Sequence, residues 1–165
     1  MGKSNKGKEI KTNAMRILEK NKVPFQMYTY ECEEFTDGVS IVEKLGQPME
    51  KVYKTLVTVG KSKEYFVFVI PVAQELDLKK CAKAVGEKSV EMIHVKDMQG
   101  ITGYIRGGCT AIGMKKNYVT VIDKSAESLP AIIVSGGRIG TQIELEPDDL
   151  VKVTRGTYAD ILVEA

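Results

Sequence analysis

The chain of 165 residues carries 24 Lys and Arg against 22 Asp and Glu, with 43% hydrophobic residues, a length that supports one well-buried core and not two ordinary domains. Its net charge of +2 excludes a protein that grips nucleic acid through bulk phosphate neutralisation alone. Three widely spaced cysteines (Cys32, Cys81, Cys109), a single histidine and no CxxC pair speak against a disulfide framework and against a metal site, and suit a reducing cytoplasm.

No apolar run approaches the ~18 residues of a membrane span. Residues 1–9 contain Lys3, Lys6 and Lys8 without a following apolar segment, and read as a disordered basic tail ahead of a folded domain over 10–165. Ile10, Ala14, Ile17 and Leu18 recur at helical spacing until Asn21, and an extended stretch over 25–30 follows Pro24. Asp37-Gly38 leads into Val39, Val42 and Leu45, a short helix that Gly46 closes. The β-branched run 52–59 predicts a strand, the lysine-rich turn 60–64 reverses the chain, and the apolar run 65–72 predicts a central strand paired with it as a hairpin. Asp77 is placed to cap a helix through Leu78, Cys81, Ala82 and Val85, ending at Gly86. A less regular middle precedes strands at 118–122, 131–134 and 141–145, and Pro147 opens a last helical turn. Antiparallel strands with short helices between them imply a single α+β domain on one mixed, strongly curved, barrel-like sheet.

Two glycine-rich stretches dominate the chemistry: Gly103-Tyr-Ile-Arg-Gly-Gly-Cys-Thr-Ala-Ile-Gly113 and Val134-Ser-Gly-Gly-Arg-Ile-Gly140. Glycines let backbone N–H groups approach a ligand closely, which is how a chain builds a small anion or oxyanion cradle. A serine or cysteine nucleophile needs an imidazole base, yet the one histidine, His94, lies outside both stretches and reads as a half-buried structural residue. Cys109 is a candidate nucleophile by position, but nothing near it in sequence lowers a thiol pKa, and a small loop residue is the plainer reading. No P-loop, GxGxxG or HExxH occurs, so ATP, dinucleotide and metalloprotease chemistry lack their motifs and no cofactor is expected.

Lys54 interrupts the apolar run Val52-Tyr-Lys-Thr-Leu-Val-Thr-Val59. Strand alternation puts Val52, Lys54, Leu56 and Thr58 on one face and Tyr53, Thr55, Val57 and Val59 on the other. It reads either as a snorkelling or edge-strand lysine or as an ammonium that holds a carbonyl or phosphate oxygen in a pocket. Tyr30 is open in the same way between packing and lining a cavity. Arg106 and Arg138, each beside a glycine pair, are either phosphate ligands or solvated charges.

Taken in order along the chain, several of these segments resemble the YbaK/EbsC family of free-standing aminoacyl-tRNA editing domains, related to the insertion domain of bacterial prolyl-tRNA synthetases. The resemblance spans residues 11–161. It rests on Val52-Tyr-Lys-Thr-Leu56, Pro71-Val72 with Glu75-Leu-Asp-Leu-Lys79, Thr102-Gly-Tyr104 with Gly107-Gly108, Ile112-Gly113 with Lys115-Lys116, and Val134-Ser-Gly-Gly137 with Gly140 and Glu144-Leu145. By this likeness Lys54 is the family's essential lysine and, with Gly107 and Gly108, the catalytic set. The likeness also puts a pocket tyrosine on Tyr30 and a glycine loop on Ser135, Gly136 and Gly137; with Thr110 and Arg138 beside the loops, these are the expected substrate-binding residues. Ala111 stands where the family usually has Pro after Ser, and Gln142 where some members carry an acid, departures that bear on loop conformation and substrate preference.

The resemblance implies a trans-editing deacylase that cleaves a mischarged amino acid, cysteine above all, from tRNA(Pro). Its partners would be the tRNA acceptor end and prolyl-tRNA synthetase, with no membrane, no DNA and no metal involved. The lack of a base becomes intelligible if the cysteinyl thiol attacks its own ester carbonyl. A non-catalytic module that docks tRNA ends or a synthetase is the alternative.

Overall fold

The computed structural model describes residues 11–31 and 37–164. The expected basic tail, Ile10 and Cys32 lie outside them.

Helix α1, Asn13–Lys20, starts where Thr12 turns its hydroxyl back to accept from the Met15 N–H at 3.2 Å, and it buries Ala14, Met15 and Leu18. Strand β1 is Gln26–Thr29, and α2 is Gly38–Leu45, capped by Asp37 and closed by the left-handed Gly46 (φ 67°). The hairpin expected from the two apolar runs is present as β2, Tyr53–Gly60, paired antiparallel with β3, Tyr65–Pro71. Helix α3, Leu78–Val85, has Asp77 accepting from the Lys79 and Lys80 N–H groups and ends at Gly86 (φ 74°). Strand β4 (Val90–Met92), helix α4 (Met98–Thr102) and strand β8 (Thr157–Ala159) have no sequence expectation behind them. Strands β5 (Val119–Asp123), β6 (Ile132–Ser135) and β7 (Thr141–Leu145) and helix α5 (Pro147–Thr154) fall where sequence patterning put them.

Among the described residues the strands form two sheets and not one. A five-stranded mixed sheet runs β4-β2-β3-β5-β8, and a three-stranded antiparallel sheet runs β1-β7-β6. A single parallel bridge, Val52 to Ile133, joins them, and no pairing closes either sheet on itself. The mixed α+β character stands, whereas the barrel-like closure is not among these pairings. Strand β4 accompanies β2 over Thr58 to Gly60, with the Ile93 N–H donating to the Val57 carbonyl at 3.2 Å, so among the described residues the outer edge of β2 over 53–56 has no ladder partner. The core follows the alternation along β3. Phe66, Phe68 and Ile70 pack against Cys81 and Ala82 of α3 on one face, while Val69 joins Met15, Leu18, Ile132, Val134 and Ile143 between the sheets on the other. Burying these runs supplies the main stabilising term at about 25 cal/mol per Å².

Candidate active site

Where the two sheets part, the free edge of β2 borders a cavity of about 450 Å³. An unpaired strand edge shows both of its faces to such a space, and consecutive residues from Val52 to Val57 all line it. The register pairs Lys54 with Ile70, so Lys54 and Leu56 enter from the α3 face, whereas Tyr53, Thr55 and Val57 enter from the opposite one. The start of α2 contributes Asp37, Gly38 and Val39. The end of β1 contributes Tyr30, and the β4–α4 connection adds Ile93, Val95 and Met98. Arg106, Gly107 and Cys109 come from the first glycine-rich stretch, and Ser135, Thr141 and Gln142 from the second and its strand. The wall is therefore mostly apolar, with few charges.

Lys54 is half-buried, and burial pulls its pKa below the usual lysine value, with the fields of Glu75 and Asp37 acting against that. A partly desolvated ammonium interacts with an anion or carbonyl oxygen more strongly than a hydrated one. Tyr30 is half-buried on the same cavity, and its backbone N–H donates to the Gly140 carbonyl at 2.9 Å. Gly140 permits that approach: a Cβ there would lie 2.9 Å from the Tyr30 carbonyl oxygen. Cys109 is buried, and desolvation pushes its thiol up to about 11, so it is protonated at neutral pH and a poor nucleophile. His94 is exposed and absent from the cavity wall, which corrects its expected half-burial. It precedes a short 3-10 turn whose side is open to solvent.

The glycine-rich stretches divide into a part that faces the cavity and a part that joins the loops. Gly108 lies against the other loop: a Cβ on it would sit 2.8 Å from Arg138 Cα and 3.1 Å from the Ile139 nitrogen. Its N–H is already donated to the Ile105 carbonyl at 3.0 Å. Gly136 donates to the Thr141 carbonyl at 2.8 Å and Gly137 to Ser135 Oγ at 3.2 Å. The Thr12 hydroxyl fastens this loop to α1 through the Gly136 carbonyl at 2.6 Å. Tyr104, buried, donates to the Ile112 carbonyl at 2.5 Å and reaches toward Gly113 and Gly137. Gly108, Thr110, Gly136, Gly137 and Arg138 thus stand outside the cavity wall, whereas Lys54, Tyr30, Gly107 and Ser135 stand on it. Close packing accounts for glycine at Gly108 and Gly136. Gly107 adopts φ 88°, and among the described residues neither its N–H nor that of Cys109 has an acceptor. Both residues line the cavity wall.

Sequence reasoning passed over Asp37 as a residue of the site and Gln47 as a partner of Gln142 on its wall. Asp37 accepts from the Ser40 N–H at 2.9 Å and the Ser40 hydroxyl at 3.1 Å, bonds that hold its carboxyl below the usual carboxylate range. Gln47 and Gln142 exchange reciprocal amide bonds of 2.8 and 3.3 Å, which satisfies the buried Gln142 and ties α2 to β7 across the cavity rim. A helix-start Asp is legible as a cap, but which space it borders is a tertiary fact. Among the described residues no cluster of His, Cys, Asp and Glu is arranged to hold a metal ion, and no helix is long and apolar enough to cross a membrane.

Comparison with known proteins bears on what such a cavity serves. The chain is 50% identical over 152 residues, 92% of its length and 93% of the relative's, to an Enterococcus faecalis protein provisionally named Cys-tRNA(Pro)/Cys-tRNA(Cys) deacylase EbsC. Among solved structures it matches, with TM-score 0.79 and 20% identity, a protein provisionally described as a trans-editing enzyme for prolyl tRNA synthetase, over 93% of this chain and 99% of that one. A hypothetical protein of known structure matches with TM-score 0.81 and 22% identity, over 90% and 97% of the two chains. At such identities the structural likeness speaks for the fold alone. The model of the aminoacyl-tRNA editing domain matches residues 33–153, and with half of all aligned residues shared with the enterococcal relative, the chain belongs to the aminoacyl-tRNA editing domain family.

Proposed function

We propose that this chain is a trans-editing deacylase that removes cysteine from mischarged tRNA(Pro) in the cytoplasm, with prolyl-tRNA synthetase as the partner that selects the tRNA body. The need has a physical origin: amino acids that differ by one small group are separated by only ~1–3 kcal/mol in a synthetase pocket, so a second site must remove the errors. The family, the name of the enterococcal relative and the near-neutral net charge of +2 support a protein that handles the acceptor end and leaves the rest of the tRNA to another surface.

The observation that carries the reading is a mostly apolar cavity with a half-buried ammonium, two amides without acceptors, and a resident thiol held protonated. Such a wall polarises and positions, and the nucleophile comes from the substrate. The cysteinyl sulfur attacks its own ester carbonyl carbon; a C–S bond forms and the ester C–O bond breaks. The thiol proton ends on the released ribose hydroxyl, and water later opens the cyclic thioester. The Gly107 and Cys109 N–H groups receive the oxyanion, and Lys54 holds the carbonyl or the terminal phosphate. Tyr30 and Ser135 shape the space around the aminoacyl group. Holding sulfur and carbonyl in reacting geometry is where most of the acceleration arises.

The test is deacylation of Cys-tRNA(Pro) by the purified protein and its Lys54→Ala variant. The account expects release of cysteine by the wild type and a loss of at least about 100-fold in the variant, the scale of a lost transition-state charge contact. Binding of tRNA without deacylation by the wild type would replace it with a docking module, and an unimpaired variant would remove Lys54 from the mechanism.

A further inference from the structure

The cavity wall holds three formally charged side chains among its described residues: Asp37, Lys54 and Arg106. Asp37 is the one carboxylate. It is near enough to Lys54 for its field to act on that ammonium, yet no ion pair joins the two among the described residues. The two thus line one cavity as opposite charges that are not paired with each other. An aminoacyl ester presents the complementary pattern at its reacting end, a protonated α-amine one bond from the carbonyl-bearing carbon. The Ser40 N–H and hydroxyl bond the Asp37 carboxylate and hold it at the exposed start of α2, where it lines the cavity. The cap itself fixes the carboxylate in place, because α2 is anchored at both ends, by the close packing of Gly38 on Val72 and by the Gln47–Gln142 amide pair. A carboxylate oriented by two bonds loses little freedom when a ligand ammonium arrives.

From this arrangement we infer that Asp37 recognises the α-ammonium of the aminoacyl group and is a specificity-determining residue of the pocket, an inference that rests on the editing reading above. It makes a free α-amine a requirement for good substrates, separately from the side-chain thiol. A peptidyl or N-blocked ester would present a neutral amide to this carboxylate and be rejected, so that completed chains on tRNA are spared.

The substitution Asp37→Asn tests this cleanly, because Asn caps a helix as well as Asp does while the charge is lost; Asp37→Ser serves as a second neutral cap. Deacylation of Cys-tRNA(Pro) and of N-acetyl-Cys-tRNA(Pro) is measured for wild type and both variants under mildly acidic conditions that keep the amine protonated, alongside melting temperature. The expected result is an increase in KM of about 10-fold on Cys-tRNA(Pro), the worth of a hydrogen bond to a charged group, with melting temperature held. On the N-acetyl substrate the variants match the wild type. Equal loss on both substrates, or none on either, overturns the inference while leaving the editing reading intact. A wild type that deacylates neither substrate overturns both.

Discussion

Replacing Gly108 with Ala should push apart the two glycine-rich loops and carry the cavity wall with them. The added Cβ would stand 2.8 Å from Arg138 Cα, 3.0 Å from its carbonyl carbon and 3.1 Å from the Ile139 nitrogen. All three are backbone atoms, so no side-chain rotation relieves the contact. Restoring an ordinary carbon–carbon separation of about 3.5 Å demands a shift of roughly 0.7 Å. Overpacking of this kind costs about 1–3 kcal/mol, which for a domain of this size lowers the melting temperature by roughly 2–4 °C per kcal/mol. Activity should fall further than stability, because Gly107 and Cys109 flank the displaced residue on the cavity wall, and a misplacement of about 1 Å is worth up to 100-fold in rate. The assay pairs thermal unfolding with deacylation of Cys-tRNA(Pro) well below the melting transition. Gly100→Ala is the control: nothing lies within 4 Å of the place a Cβ would take on this helical glycine, and Ala there should hold or raise stability by up to about 1 kcal/mol with an unchanged rate. A Gly108→Ala protein that melts and turns over like the wild type would refute the idea that the loop contact sets the site.

Burial lowers the Lys54 pKa from its ordinary 10.5, so the charged form is penalised in the folded state at every pH below the lowered value, and the penalty fades as pH rises from that value to 10.5, above which it is gone. Lys54→Met should therefore melt at or above the wild-type temperature at neutral pH while deacylation is lost; a clear drop in melting temperature would contradict the assignment of its burial as a functional cost. Tyr104→Phe removes the 2.5 Å bond to the Ile112 carbonyl and leaves that buried acceptor unmet, an expected loss of about 1–3 kcal/mol by denaturant titration. Glu144 is held below its ordinary 4.5 by bonds from Lys51 and Tyr28, so its contribution is complete above that value and lost as pH falls through the depressed one. The stability of Glu144→Gln should decline less than that of the wild type between neutral pH and strongly acidic pH, and parallel declines would show the network to be inert.

Local signals carried much of this fold into the sequence. Asp37 and Asp77 before apolar periodicity, Gly46 and Gly86 after it, and the paired runs that became β2 and β3 each impose their structure within a few residues. Strands β4 and β8 have only three residues apiece, too few for a period to show, and they exist because neighbouring strands offer them an edge. The division into two sheets was hidden for a related reason: it depends on which strands pair, a tertiary matter. Lys54 was legible as an intruding charge, with a pocket ammonium as one of two readings, since strand alternation names a face and not what the face meets. Glycine carries two readings. Gly108 is required by backbone packed on backbone, Gly136 by the Thr141 side chain and carbonyl, and Gly137 by its φ of 106°, demands that sequence cannot distinguish from a cradle for a ligand.

The claim at the centre of the account is that the guest's own sulfur breaks the ester. The direct measurement is the single-turnover rate on tRNA(Pro) carrying cysteine beside the same tRNA carrying S-methylcysteine. These substrates match in charge and nearly in size and differ in the nucleophile. The account predicts rapid release of cysteine and a rate for the methylated ester close to that without protein. Comparable release of both would contradict it and assign the attack to water.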